Sequence, residues 1–276
     1  MSQLDGTAIS QIQDLTIAGI YLDPIKKTDC PAVIMPENHE IRSLEGLNLT
    51  RYRFRGVMKT ISIVDFVNYS MRYAQTDGVR CFIDTEKMTA KTIFNIGTLD
   101  EPGHADNQAL ISLKKTAPFR DLLIIDGYKQ SQKQLAEWLE DWRDYLTAFD
   151  AEENALDIKK AISAVRRITI EATHSSEHED SDFSAKRSVL ENVEAKSKDV
   201  MPAYFEFTCV PYEELSKRRI KLRYSILTGG EVPAFVLRIV QLENLEEKIA
   251  QEFSDLLSTY FIDSKIETFI GSFSAS

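Results

Sequence analysis

The fold is decided by residues 51–97, which read RYRFRGVMKTISIVDFVNYSMRYAQTDGVRCFIDTEKMTAKTIFNIG. Charged and aromatic residues alternate over 51–55, which predicts a strand, because successive side chains of a strand point to opposite faces. Ser62 has the position of an N-cap before a helical pattern of apolar residues. Residues 79–83 and 91–96 are two strand-like runs around a polar turn, which predicts a β-hairpin. A strand, a helix and a hairpin in this order indicate an α+β domain.

A long amphipathic helix is predicted over residues 131–149. Ser131 and Gln134 have the spacing of a capping box, in which each residue satisfies a backbone amide of the other. Trp138 and Trp142 lie on the apolar stripe of this helix, and acidic residues occupy most of the other side. We expect the two tryptophans to lie in the core or in a homo-oligomer interface.

The whole chain is predicted to be α+β, with antiparallel sheets in two halves and amphipathic helices packed on them. Residues 1–50 are predicted to form an N-terminal arm and an edge segment. Residues 51–165 are predicted to form an α+β domain that ends in the tryptophan-containing helix, which should pack on the first sheet. Residues 166–276 are predicted to form a β-rich domain with an exposed tract at 174–200. Its C-terminal helix, at 243–261, should pack on the second sheet.

The composition is that of an acidic protein, with 43 Asp and Glu against 33 Lys and Arg and a net charge of -10. Such a balance repels nucleic acid unless the bases are segregated on one surface. The three cysteines lie far apart and form no CxxC pair, which indicates reduced thiols. No signal peptide and no apolar segment of membrane-spanning length is recognisable, so we expect a cytoplasmic protein that does not cross a membrane.

Basic residues alternate with apolar residues in two predicted strands. They are Arg51, Arg53 and Arg55 in the first strand and Arg219, Lys221 and Arg223 in the second. If both strands share a sheet, these residues form a positive surface for nucleic acid or for an acidic protein partner. Alternatively, they pair with carboxylates of the chain itself or with the acidic helix of another subunit. The aromatic residues within the two strands fall on the face opposite the bases, where they would not stack on nucleotides.

No catalytic motif, metal site or cofactor site stands out in the sequence. His104 and Asp106 lie in a Gly- and Pro-rich loop that is a candidate site, but two ligands are too few for a designed metal centre. A metal-dependent nuclease centred on Asp84, His104 and Asp106 is the least favoured interpretation, because the spacing does not match such an enzyme. We predict no catalytic residues, no metal and no cofactor.

The sequence resembles the YfdQ family of tailed phages and prophages. The resemblance is carried by the His104-x-Asp106 loop, by the segment Leu113-Lys114-Lys115-Thr116 and by the helix segment Glu137-Trp138-Leu139-Glu140-Asp141. It implies a phage-encoded protein, produced in the host cytoplasm and encoded near recombination and replication functions. It implies no catalytic residues.

Two main functions are predicted. The first is that of a non-enzymatic phage accessory protein, which assembles as a homo-oligomer through Trp138 and Trp142 and binds a phage or host macromolecule, such as a defence or recombination protein. The alternative is a single-stranded nucleic-acid binding or annealing protein of a phage recombination module, which uses the basic strand faces.

Overall fold

The computed structural model describes residues 6–25, 49–51, 53–168, 201–227 and 233–274. The chain divides into two compact units, Met1–Phe54 and Arg55–Ser276. In the first unit, one helix is described, α1 (Gly6–Ile25). The predicted edge segment at 31–36 and the predicted exposed tract at 174–200 lie outside the described residues.

The second unit contains the following helices and strands in its described residues: β1 (Gly56–Thr60), α2 (Ile63–Tyr73), β2 (Val79–Asp84), β3 (Thr89–Ile93), β4 (Asn107–Ser112), α3 (Ala117–Ile125), α4 (Gln132–Asp141), β5 (Leu146–Phe149), β6 (Ala155–Leu156), α5 (Ile158–Arg167), β7 (Tyr204–Cys209), β8 (Arg218–Leu227), β9 (Ala234–Ile239), α6 (Leu242–Phe261) and β10 (Ile266–Ile270). They form two five-stranded sheets with helices packed on them, which confirms the predicted α+β class.

The first sheet has the strand order β1-β4-β3-β2-β10. Its three central strands pair antiparallel, whereas β1 and β10 pair parallel at the two edges. Helices α2 and α6 cover one face, where the rings of Phe66 and Phe261 meet edge to face with centroids 6.3 Å apart. The buried hydroxyl of Ser70 donates to Thr92 Oγ1 at 3.0 Å and fixes α2 on β3.

The second sheet is antiparallel throughout, with the strand order β6-β5-β7-β8-β9. Helices α4 and α5 pack against its inner face. Phe207 of β7 is fully buried there and contacts the rings of Trp138, Trp142 and Tyr145 at centroid distances of 5.8, 6.2 and 5.6 Å. These ring contacts hold α4 on the sheet, so the side chains that alternate with Phe207 point to the outer face.

The helices pack on the sheets in the opposite arrangement to the one predicted. The tryptophan-containing helix α4 packs on the second sheet, and the C-terminal helix α6 packs on the first. The helix that was predicted over 131–149 ends at Asp141 in the structure. The last four residues of the predicted span, 146–149, form β5 of the second sheet. Strand β10, near the C-terminus, joins the first sheet. The predicted boundary at residue 165 therefore does not separate the strands of the first sheet from those of the second.

The described residues of the predicted strand at 51–55, which are 51 and 53–55, are not in a strand. The parallel ladder with β4 begins only at Gly56, which pairs with Asn107 and donates its amide to Asp106 O at 3.0 Å. Phe54, predicted to lie on the strand face opposite the arginines, is 62% exposed. Alternation in the sequence is compatible with a strand, but a strand also needs a partner to satisfy its backbone groups, and β4 offers none before Gly56.

Phe207→Ala should destabilise the protein by about 3–5 kcal/mol, because it removes a fully buried ring and leaves a cavity between α4 and β7. Urea unfolding followed by tryptophan fluorescence measures this change. The control is Ile270→Ala, which shortens a side chain that is 71% exposed and should change stability by less than about 0.5 kcal/mol. Equal effects of the two substitutions would contradict the packing described here.

Candidate nucleic-acid interface

The outer face of the second sheet carries the predicted basic residues of β8. Arg219, Lys221 and Arg223 are exposed, and the residues between them are buried, so the predicted alternation is confirmed for this strand. On the two neighbouring strands, Thr208, Glu206 and Tyr204 of β7 lie opposite these three residues, and Arg238 of β9 lies opposite Arg223.

One row of side chains crosses four strands of this face. Phe149 of β5 pairs with Tyr204 of β7, which pairs with Arg223 of β8, which pairs with Arg238 of β9. Paired residues of neighbouring antiparallel strands have Cβ atoms about 5 Å apart. Two aromatic rings and two guanidinium groups therefore lie side by side in a line across the sheet.

The two aromatic rings of this row are stacked. Their centroids are 4.9 Å apart and their planes differ by 7°. Lys221 Nζ lies 3.8 Å from the centre of the Tyr204 ring, a cation–π contact that sets a positive charge beside the stacked pair. Partial burial, assisted by the nearby carboxylates of Glu153, Glu206 and Asp150, raises the pKa of the Tyr204 hydroxyl, so this side chain is neutral at physiological pH.

The arginines of this face lack acidic partners among the described residues. Within the part of the chain that the structure describes, no carboxylate lies within salt-bridge distance of Arg219, Arg223 or Arg238. Their neighbour Arg218, in contrast, contacts Glu252 at 2.6 Å. Like charges directly opposite each other on neighbouring strands are destabilising, and Arg223 faces Arg238 in this way. An anion bound between the two guanidinium groups would remove that cost.

The other predicted basic strand does not contribute to this sheet. Arg51 and Arg53 belong to the first unit, and Arg55 precedes β1 of the first sheet. Arg51 and Arg55 are exposed and Arg53 is half-buried. A single positive sheet built from both predicted strands is therefore wrong, and a binding role of Arg51, Arg53 and Arg55 stays a prediction.

The structure does not bring Asp84 and Asp106 together. Asp84 ends β2, and the register of β2, β3 and β4 sets it level with Ser112. Asp106 lies six residues before Ser112, which corresponds to about 20 Å along a strand. Asp106 accepts from Asn95 Nδ2 at 2.8 Å, and His104 is exposed. No group of three or more His, Cys, Asp or Glu among the described residues is arranged to hold a metal ion.

Asp84 has a local role at the end of its hairpin. Its carboxylate accepts hydrogen bonds from Lys87 Nζ at 3.0 Å and from the backbone amide of the same residue at 3.0 Å. The side-chain hydrogen bond from Lys87, together with the backbone amide, lowers the pKa of Asp84. These hydrogen bonds give Asp84 a structural role in the β2–β3 turn.

Trp138 and Trp142, predicted to lie in an oligomer interface, are half-buried within the chain. Both indole N–H groups donate to Asp121 Oδ2, at 2.7 and 2.6 Å. One face of the pair packs on Phe207. Their role between subunits stays a prediction, and the parts of both rings that stay accessible line a surface pocket.

Sequence reasoning missed Phe149, Tyr204 and Arg238. Residues 203–210 have the pattern of a strand, and the alternation of Tyr204 with Phe205 and Phe207 would have assigned Tyr204 to the outer face. Arg238 could have been found by pairing residues 219–227 with residues 234–240, which have the pattern of a β-hairpin. Phe149 could not, because its spacing from Trp142 also fits a helix.

One family model, described as uncharacterized conserved protein (DUF2303), matches residues 5–273. The chain belongs to this family. No curated protein and no solved structure matches the chain. The DUF2303 match establishes a conserved family and leaves the phage setting implied by the YfdQ resemblance as a prediction. Among the described residues, no helix combines the length and apolarity needed to span a bilayer.

Cys81 and Cys209 are free and buried, as expected for reduced structural thiols. Burial raises the pKa of Cys81 to about 12 and that of Cys209 to about 11. A thiolate is the nucleophilic form of cysteine, and at neutral pH both residues are protonated. Neither is suited to nucleophilic catalysis.

In a Cys30→Ser variant, the two remaining thiols should not react with Ellman's reagent in the native state. At about pH 8, thiols with these raised pKa values are ionised to about one part in a thousand or less. Absorbance should show about two reactive thiols only after addition of denaturant. Rapid labelling of the folded protein would contradict the burial of both side chains.

Proposed function

We propose that this protein binds single-stranded nucleic acid on the outer face of its second sheet, without catalysis. The observation that carries the proposal is the row Phe149, Tyr204, Arg223 and Arg238, in which stacked aromatic rings adjoin guanidinium groups that have no acidic partner in the described part of the chain. In a protein with a net charge of -10, a cluster of basic side chains without acidic partners in the described residues is available to an external anion.

Phosphate groups fit the basic half of the face. Arg219, Lys221 and Arg223 recur at every second residue of β8, so their side chains are spaced by roughly 7 Å along the strand. Arg238 adds a fourth base beside Arg223. Glu206 is the acidic residue in the same rows, and Glu153 and Asp150 lie near Tyr204, so the positive charge is concentrated on β8 and β9. Guanidinium groups bind phosphate oxygens through paired hydrogen bonds, and the regular spacing of the three bases along β8 fits a series of phosphates.

Nucleobases fit the aromatic half of the face. The ring pair of Phe149 and Tyr204 lies on adjacent strands, and unpaired bases stack on such rings in sheet-based nucleic-acid binders. Lys221 covers one face of Tyr204, and its flexible side chain can turn to a phosphate when a base occupies that position. A duplex hides its bases inside the helix, so this arrangement favours a single strand.

The biological setting is part of the proposal. The resemblance to YfdQ proteins supports a phage protein that acts beside recombination and replication functions in the host cytoplasm, where single strands are exposed. The other predicted function, homo-oligomeric assembly with a host defence or recombination protein, stays a prediction. The geometry of the second sheet supports the nucleic-acid proposal more directly.

A labelled single-stranded oligonucleotide should bind with an affinity that falls steeply with salt. Four phosphate contacts correspond to a slope of about -3 in a plot of log K against log salt, since each contact on a single strand contributes about -0.7. Arg223→Gln and Arg238→Gln should each reduce the magnitude of this slope by about 0.7. Fluorescence anisotropy at several salt concentrations measures it.

The matched control is Arg120→Gln, which removes an exposed arginine of α3 and should leave both affinity and slope unchanged. Anisotropy that stays flat at low salt, or equal losses in all three variants, would overturn the proposal. The first result would exclude binding, and the second would reduce it to a nonspecific effect of net charge.

Tyr204→Ala should weaken binding by about 1–3 kcal/mol, the usual contribution of one base stacked on an aromatic ring. Tyr204→Phe should retain most of the affinity, because stacking needs the ring and not the hydroxyl. The same anisotropy assay compares the two, and thermal unfolding verifies that both variants are folded. If both variants bind the oligonucleotide as tightly as the wild type does, stacking on this ring is excluded.

A further inference from the structure

A pocket of about 450 Å³ lies beside α4, on the opposite side of the second sheet from the basic face. Both tryptophans of the chain line it, together with Gln130 and the carboxylates of Asp121, Glu137 and Asp141. No Lys or Arg is among the described residues that line this pocket. Three carboxylates and two indole rings make it suited to a cation.

The tryptophan rings are held in fixed orientations. Asp121 Oδ2 accepts both indole N–H groups, and Phe207 packs behind the rings. The electron-rich faces of indoles attract cations, with Trp the best of the aromatic side chains. Lys133 contacts Glu137 at 3.7 Å with both side chains largely exposed, and Asp141 has no ion pair in the described part of the chain.

Gln130 gives an independent indication of a ligand. Its side chain is only 7% exposed, and its amide nitrogen makes no hydrogen bond. An unsatisfied buried polar group costs about 1–3 kcal/mol, so such groups are rare in native proteins and need a partner such as water, an ion or a ligand. A guanidinium group only donates, so it would be satisfied by this side chain with the terminal amide rotated by half a turn, which puts the carbonyl oxygen where the nitrogen lies.

We propose that this pocket binds the guanidinium group of an arginine from a second copy of the chain. A guanidinium is planar, stacks on indole faces and donates several hydrogen bonds to carboxylates and amide oxygens, whereas an ammonium is a compact point charge. The source is the basic face of the second copy, where Arg219 and Arg223 project from β8 without acidic partners in the described residues.

The positions of the two surfaces determine the form of the assembly. The pocket lies on the helix side of the second sheet, whereas Arg223 lies on the outer face. Two different surfaces meet in each contact, so the interface is heterologous. An open assembly of this kind ends in an unused pocket at one end and an unused basic face at the other. The inference concerns the protein alone and does not depend on nucleic-acid binding.

The test uses two variants of the full chain, Asp141→Lys and Arg223→Glu, studied by sedimentation velocity at low salt without nucleic acid. The wild type should self-associate at micromolar concentration, and each variant should associate at least about tenfold more weakly, because one partner of the contact is reversed in charge. An equimolar mixture should form a one-to-one complex, since the first variant keeps its arginine and the second keeps its pocket.

The control Asp144→Lys makes the same charge change outside the pocket and should self-associate like the wild type. A monomeric wild type, or two variants that stay apart when mixed, would overturn the proposed partner. Failure of oligonucleotide binding with intact self-association would instead affect the proposed function alone.

A second measurement tests the chemistry of the pocket. Because Trp138 and Trp142 are the two tryptophans of the chain, tryptophan fluorescence reports on this pocket. N-acetyl-arginine amide should change the emission of the Arg223→Glu variant saturably, and N-acetyl-lysine amide should do so at least about fivefold more weakly. Equal responses to both probes, or no saturation, would overturn the assignment to guanidinium.

Discussion

The contact between Phe207 and the rings of Trp138, Trp142 and Tyr145 is the constraint on which the second half of the molecule depends. A sheet of this size must bury one face, and these rings determine which face that is. Once α4 is fixed there, strand alternation places Tyr204 on β7 and the bases of β8 on the other side. The chemistry of the outer face therefore follows from the packing of the inner one.

Burial of the inner sheet face also determines where the charged side chains of β8 and β9 lie. The chain has a net charge of -10, yet β8 and β9 place four bases on one surface, against Glu206 in the same rows. Neighbouring bases repel each other, and Arg223 directly faces Arg238. This arrangement does not stabilise the free protein, and the proposed binding of an anion would offset its cost. Segregation of charge, and not total charge, is the property relevant to nucleic acid.

Particular residues show how far the sequence predicts the fold. The capping box at Ser131, the hairpin of β2 and β3, and the alternation in β8 were predictable because each depends on local chemistry. The end of α4 was not, because Leu146 and Phe149 fit both a helical stripe and a short strand, and only pairing with β7 selects the strand. Helix α3 was missed although Thr116 and Pro118 are start signals, because an apolar run of that length also fits a strand. The aromatic part of the candidate site depends on cross-strand register, which is a long-range property.

Asp121 takes part both in the packing of the tryptophan rings and in the proposed pocket. It comes from α3, which lies between the two sheets in the chain, and its single oxygen Oδ2 accepts both indole N–H groups of α4 and the residue that follows it. The carboxylate thus orients the two rings that pack on Phe207, and it also lines the pocket proposed for a guanidinium group. If the arginines of a second copy occupy that pocket, the same arginines are unavailable to phosphate. Assembly and nucleic-acid binding then compete for one set of side chains, so a single strand would separate neighbouring copies and salt would weaken both interactions.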